Sequence, residues 1–193
     1  MEYYIENNDL KIKISSLVVN TVQDFFDAYI PSKKMQHLLI QNKWISIDYE
    51  NVKRETAIQG KYLIINIYPY EHQYYHSSHK KLDIVYEDEL FLIVNKPSGI
   101  IVHSDGQDNE NLTSVVSTYY HDIDNVYFEA NPIHRLDKNT SGLVMYSKSI
   151  VFQALLDKML EKKMIRRTYL AYVFGKINKN TNFEIDKAIG KDR

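Results

Sequence analysis

Residues 69–81 interrupt the chain and constrain it most. The run Pro69-Tyr70-Glu71-His72-Gln73-Tyr74-Tyr75-His76-Ser77-Ser78-His79-Lys80-Lys81 has no apolar periodicity, while both flanks alternate helix-like and strand-like patterns. At 193 residues the chain holds one large or two small domains. The interruption favours two: a first unit over residues 1–68, a linker over 69–81 and a second unit over 82–193. No apolar stretch approaches the ~18 residues of a membrane span. The opening Met-Glu-Tyr-Tyr-Ile-Glu-Asn-Asn-Asp is unlike a secretory signal. The expectation is a soluble cytoplasmic protein without a membrane partner.

Composition removes several chemistries. With 44 % hydrophobic and 25 % charged residues the chain is globular in character rather than disordered. It has no cysteine, which excludes disulfides, zinc–thiolate sites, iron–sulfur clusters and thiol nucleophiles. Lys and Arg number 24 against 25 Asp and Glu, a net charge of -1, so a polybasic tail-type binder is excluded. A local basic patch for phosphate is not. His72, His76 and His79 would share one face of a helix and make a metal site, the basis of a metal-dependent hydrolase. Neither helix nor carboxylate ligand is secured there, so the segment is read as a solvated tether and no metal is assigned.

In the first unit Val22, Phe25, Phe26 and Tyr29 recur at helical spacing and stop at Pro31. Ser32 caps a second helix carrying Met35, Leu38 and Leu39. Residues 44–49 and 62–67 read as strands separated by a polar stretch with Gly60, so two short helices precede a small sheet. In the second unit, residues 83–87 and 90–94 are strands joined by Asp88-Glu89. Thr113 caps a helix to Tyr120, residues 126–128 are apolar, and residues 143–146 form a strand. Ser149 caps a helix with Phe152, Leu155, Leu156, Met159 and Leu160 on one face. Lys162, Lys163, Arg166 and Arg167 are the densest basic cluster, and residues 168–174 close as a β-branched and aromatic strand ended by Gly175. The expected fold class is α+β, around a mixed, largely antiparallel sheet.

A polar excursion, Asn131-Pro132-Ile133-His134-Arg135-Leu136-Asp137-Lys138-Asn139-Thr140-Ser141-Gly142, lies between two apolar stretches. If extended, it puts Arg135 and Asp137 on one face and His134 and Leu136 on the other, with Leu136 as anchor. An Arg beside an Asp keeps a carboxylate ionised in a partly buried site, as a nucleophile or general base requires. The same residues also describe a surface turn with an ordinary surface ion pair, and residue types alone leave both readings open.

His134-Arg135-Leu136-Asp137 with Thr140-Ser141-Gly142-Leu143 resembles the signature of the RluA-type pseudouridine synthases. Asn95-Lys96-Pro97-Ser98-Gly99 with Val102-His103 looks like that family's Asn-Lys-Pro-x-Gly strand–turn. Arg167-Thr168-Tyr169 with Ala171, Val173 and Gly175 is similar to its Lys-x-Tyr strand, with Arg167 where Lys is usual, and Ile189-Gly190-Lys191-Asp192 looks like the start of its next segment. The resemblance spans residues 82–193, and residues 1–68 are similar to the small αL-type RNA-binding module that often precedes this domain.

The resemblance implies isomerisation of uridine to pseudouridine within structured ribosomal or transfer RNA, without cofactor or metal. It makes Asp137 the essential carboxylate, Arg135 its partner and an RNA contact, and Tyr169 the ring against the target base. His134, Lys138, Arg166, Arg167, Lys162 and Lys163 would contact RNA, as would Lys33, Lys34 and Lys43 on the first unit. The first unit's net charge of zero departs from a strongly basic RNA binder. The family fold implies roughly a hundred further residues, so the chain reads as an incomplete, weakly active or inactive portion of a protein that is monomeric at full length. The competing expectation is an RNA-binding protein that keeps the fold without catalysis.

Overall fold

The computed structural model describes residues 1–67, 77–104, 110–124, 130–176, 182 and 184. The first element is one the sequence reading omits. Strands β1 (Tyr3–Glu6) and β2 (Asp9–Lys13) form a hairpin paired from Tyr3↔Ile12 to Glu6↔Asp9. Its turn is Asn7-Asn8, with φ of 51° and 69°. Two consecutive left-handed residues match the twist of a tight hairpin, and Asn tolerates that region better than other non-glycine residues.

Helices α1 (Val22–Tyr29) and α2 (Lys33–Gln41) follow as expected. Thr21 and Asp24 form a reciprocal capping box on α1, and the Ser32 hydroxyl accepts the Met35 N–H on α2. Strands β3 (Ile45–Ile47), β4 (Glu50–Asn51) and β5 (Tyr62–Asn66) complete an antiparallel sheet ordered β1-β2-β5-β3-β4. The sheet therefore starts before the helices rather than following them. Its inner face buries Leu10, Ile12, Ile45, Leu63 and Ile65 against Val22, Phe25, Phe26 and Leu39.

The second sheet is ordered β6-β7-β9-β8 and is antiparallel throughout: β6 (Ile84–Glu87), β7 (Phe91–Lys96), β8 (Asn131–Pro132) and β9 (Gly142–Ser147). Leu92, Val94, Val144 and Tyr146 point to one face, where helix α3 (Leu112–Asp124) packs Val116 and Tyr120 against them. The α3 cap is Asn111, whose Oδ1 accepts the Ser114 N–H at 3.0 Å, not the expected Thr113. Thr113 lies one residue inside the helix and donates to the Val102 carbonyl at 2.7 Å. Helix α4 (Ile150–Glu161) is capped by Ser149 as expected. Its Val151 and Phe152 enter the first hydrophobic core, and Ser149 Oγ donates to the Ile67 carbonyl at 2.7 Å.

Two further expectations change. The described part of the linker is tied to α3 and to the residue before its cap: Ser78 N–H donates to Thr118 Oγ1 at 2.8 Å and Lys80 pairs with Glu110 at 2.9 Å. The strand expected over residues 168–174 does not form; residues 166–173 have no regular secondary structure, and Leu170, Tyr172 and Phe174 are fully exposed. Strand propensity measures the fit of a side chain to a pleated, half-buried surface, and these residues have no such neighbour among the described residues. The apolar run at residues 126–128 lies outside the described residues.

Candidate active site

The excursion leaves the second sheet at its edge. Asn131 and Pro132 pair with Ser147 and Tyr146, and Pro is tolerated there because β8 is an edge strand. Ile133 N–H donates to the Met145 carbonyl at 2.8 Å, and beyond it the chain departs from the sheet. The side chains alternate as the extended reading requires: His134 and Leu136 are half-buried, Arg135 and Asp137 exposed. Leu136 packs against the second core, which anchors the loop.

Beneath the loop lies a residue to which the sequence reading assigns no role. Lys96 ends β7 and is completely buried. Its Nζ donates to the carbonyls of Pro97 at 3.0 Å, Ile100 at 2.8 Å and Lys138 at 3.0 Å, which uses all three ammonium hydrogens. Two more bonds join the same segments: Gly99 N–H to Lys138 O at 2.8 Å and Ser98 Oγ to Asn139 O at 3.0 Å. The Asn95-Lys96-Pro97-Ser98-Gly99 turn thus clamps the loop immediately after Asp137. Burial lowers the Lys96 pKa, and the nearby Asp137 carboxylate opposes that shift. The signal was present: Leu92, Val94 and Lys96 alternate along one strand, so period two places the lysine on the core face.

The expected Arg135–Asp137 ion pair is absent among the described residues. Both groups are exposed, and in water two charges 4 Å apart gain only about 1 kcal/mol, too little to hold two side chains together. The Asp137 charge is felt instead by buried Lys96.

A cavity of about 580 Å³ opens beside the loop, on the sheet face opposite α3. Ile93, Leu143 and Met145 form its floor, and His134, Arg166, Arg167 and Tyr169 stand around it. Asp137, Arg135 and Lys138 are not in its lining, yet Leu136 and Thr140 are, so Asp137 stands at the margin. The His134 ring is held there by Nε2, which accepts the Met145 N–H at 3.4 Å. Burial, and then the Arg167 charge, push its pKa below the ordinary value. Tyr169, on the cavity wall, is 56 % exposed.

The other basic candidates lie away from the cavity. Lys162 and Lys163 are exposed just after α4, and Lys33 and Lys34 are exposed in the first turn of α2, with Lys33 paired to Asp27 at 3.2 Å. His72 and His76 lie outside the described residues. His79 is exposed, 3.9 Å from the Asp122 carboxylate. Among the described residues no group of three or more His, Asp or Glu is arranged to hold a metal ion, and no helix is long and apolar enough to cross a membrane. Residues 189–192 also lie outside the described residues.

The chain is 30 % identical over 186 residues to a Bacillus subtilis (strain 168) protein named uncharacterized RNA pseudouridine synthase YhcT, covering 92 % of this chain and 61 % of that one. It is 31 % identical over 153 residues to ribosomal large subunit pseudouridine synthase D of Escherichia coli (strain K12), covering 79 % and 47 %. It therefore spans about half to three-fifths of the length of these curated relatives. Among solved structures, human RNA pseudouridylate synthase domain containing 4 matches with a TM-score of 0.37 and 22 % identity, covering 42 % of this chain and 30 % of that one. The RNA pseudouridylate synthase family model matches residues 90–193, more than half the chain, and this stretch holds Lys96, the clamped loop and the cavity wall. On that match the chain belongs to the RNA pseudouridylate synthase family.

Proposed function

We propose that this chain carries the Asp-bearing part of an enzyme that isomerises uridine to pseudouridine in ribosomal or transfer RNA. The bond between ribose C1′ and uracil N1 breaks, the base turns, and a C1′–C5 bond forms. C5 loses its hydrogen and N1 gains one, so the product is an isomer of the substrate. Asp137 supplies a carboxyl oxygen to the anomeric carbon as the base leaves, for the electrostatic reason that glycosidases place carboxylates there. Its exposure leaves room for a bulky nucleotide, and the Lys96 clamp supports a fixed backbone beneath it. The uridine must leave its stack to reach Asp137, at a cost of a few kcal/mol. Tyr169 stacks on the extruded ring in the neighbouring cavity, and Arg135 contacts the RNA left behind. Arg166, Arg167, Lys162, Lys163, Lys138, Lys33 and Lys34 meet phosphates, which offsets the extrusion cost.

The observation that carries this reading is the family match over residues 90–193, which includes the loop bearing Asp137. The test is tritium release from RNA labelled at uridine C5. Release by the wild-type protein that disappears in Asp137→Asn supports it. Equal release by both proteins overturns it.

A further inference from the structure

The edge strand β8 stops with an unusual rung. The β8–β9 register, continued one residue past the strand, sets Ile133 opposite Met145, and Ile133 gives its N–H to the Met145 carbonyl at 2.8 Å. In a continuing antiparallel pair the reciprocal bond would run from Met145 N–H to the Ile133 carbonyl. Here that N–H goes to Nε2 of the His134 side chain at 3.4 Å. A ring nitrogen has replaced a backbone oxygen at the point where the chain turns away from the sheet. Three residues later comes Asp137.

This substitution dictates the tautomer. A nitrogen that accepts an N–H carries no hydrogen itself, so the ring hydrogen of neutral imidazole sits on Nδ1. That atom is buried without a hydrogen-bond partner among the described residues. Burial and the neighbouring charges oppose a second proton, against a smaller favourable contribution from the Arg135 backbone. Arg166 and Arg167 stand across the cavity with Tyr169, and Arg135 is next on the same loop. Asp137, the carboxylate of the loop, faces outward with Arg135, while Ile93, Leu143 and Met145 contribute no charge. A proton on Nε2 would set one N–H against another and add a cation beside Arg167.

We infer that His134 is a positioning residue for Asp137: its Nε2 lone pair, lent to the Met145 N–H, sets where the loop leaves the sheet, and protonation of that nitrogen releases the loop. The inference rests on the role proposed above for Asp137, but the bond itself can be measured without turnover. Ring and amide ¹⁵N resonances of the whole chain are followed between about pH 8 and pH 4.5, the range in which imidazole titrates. Amide exchange at Met145, corrected for its intrinsic pH dependence, is followed alongside. Wild type should show bare Nε2 and protonated Nδ1 at neutral pH, with Met145 protection falling about tenfold as His134 takes up a proton. In His134→Gln, whose carbonyl reaches the same place without titrating, Met145 protection should stay flat. In His134→Phe it should be lost throughout.

Tritium release adds a second readout. Relative to each protein's own rate at neutral pH, it should fall on the acid side in wild type and show no such fall in His134→Gln, while His134→Phe should be low at every pH. A wild-type ring carrying its proton on Nε2, or Met145 protection unchanged through the His134 titration, overturns the inference even if His134→Phe fails to fold. Release that survives Asp137→Asn removes the functional reading instead, while the Met145 measurement still stands or falls alone.

Discussion

Replacing Lys96 by Met keeps an unbranched side chain of similar length and removes the ammonium. Three carbonyls lose a donor: Pro97, Ile100 and Lys138. They do not lose equally. Lys138 O keeps the Gly99 N–H, and Pro97 lies at the surface where water can replace the ammonium, so the heaviest loss falls on Ile100 O. A buried acceptor left without a donor costs about 1–3 kcal/mol, and a lost bond to a charged donor about 1.5–3 kcal/mol. Against this, Met avoids the desolvation of a buried cation, which burial already disfavours, as the lowered Lys96 pKa shows. The balance is a destabilisation of about 2 kcal/mol, or about 4–8 °C in Tm for a chain of this size. Urea unfolding followed by circular dichroism measures it, with the m-value expected to stay constant. Lys96→Arg should be no better, because a planar, wider guanidinium cannot present three converging donors in a lysine-shaped site. A Lys96→Met protein within about 0.5 kcal/mol of wild type, in the ordinary scatter of surface substitutions, would refute the argument that the amine clamps the loop.

Four other outcomes follow from the same structure. Asp137→Asn should leave urea stability within about 0.5 kcal/mol, since the side chain is exposed, while abolishing tritium release. Because burial and Arg167 lower the His134 pKa, the unfolded chain binds the proton first as pH falls. Stability should therefore drop from the unfolded His value near 6.5 down to the lower folded value, and His134→Gln should lack that slope in a pH series of urea melts. Gly60→Ala should destabilise by about 1–3 kcal/mol in the same assay, because its φ is 141° and a Cβ would sit 2.5 Å from Asp48 Oδ2 and 2.9 Å from Ile47 Cγ2. Ser149→Ala should cost about 1–2 kcal/mol by thermal melting, from loss of the α4 cap and of the bond to Ile67 O.

The helices were legible because each carries its own instructions. Thr21, Ser32 and Ser149 satisfy orphan N–H groups, and apolar residues three and four apart mark the buried face. What escaped was encoded in backbone geometry or in partners distant in sequence. The β1–β2 hairpin hides behind Asn7-Asn8, a polar pair that looks like a plain acidic terminus until its positive φ angles are known. Asn111 and Thr113 are both acceptable caps, and only the bond from Thr113 to Val102 decides which residue opens α3. Residues 168–174 have every strand-like side chain, but a strand also needs a neighbour. In the candidate site the alternation of residues 134–137 follows from the sequence, whereas the Lys96 clamp needed the fold to bring residues 96–100 beside 138–139.

Val151 and Phe152 of α4 fill the core of the first sheet, while the strand feeding that helix, β9, belongs to the second. A single helix is therefore the keystone of two sheets. Excising residues 1–67 would strip Phe152 of its cover, and grafting a foreign module in their place would fail unless it brought a socket shaped for that ring.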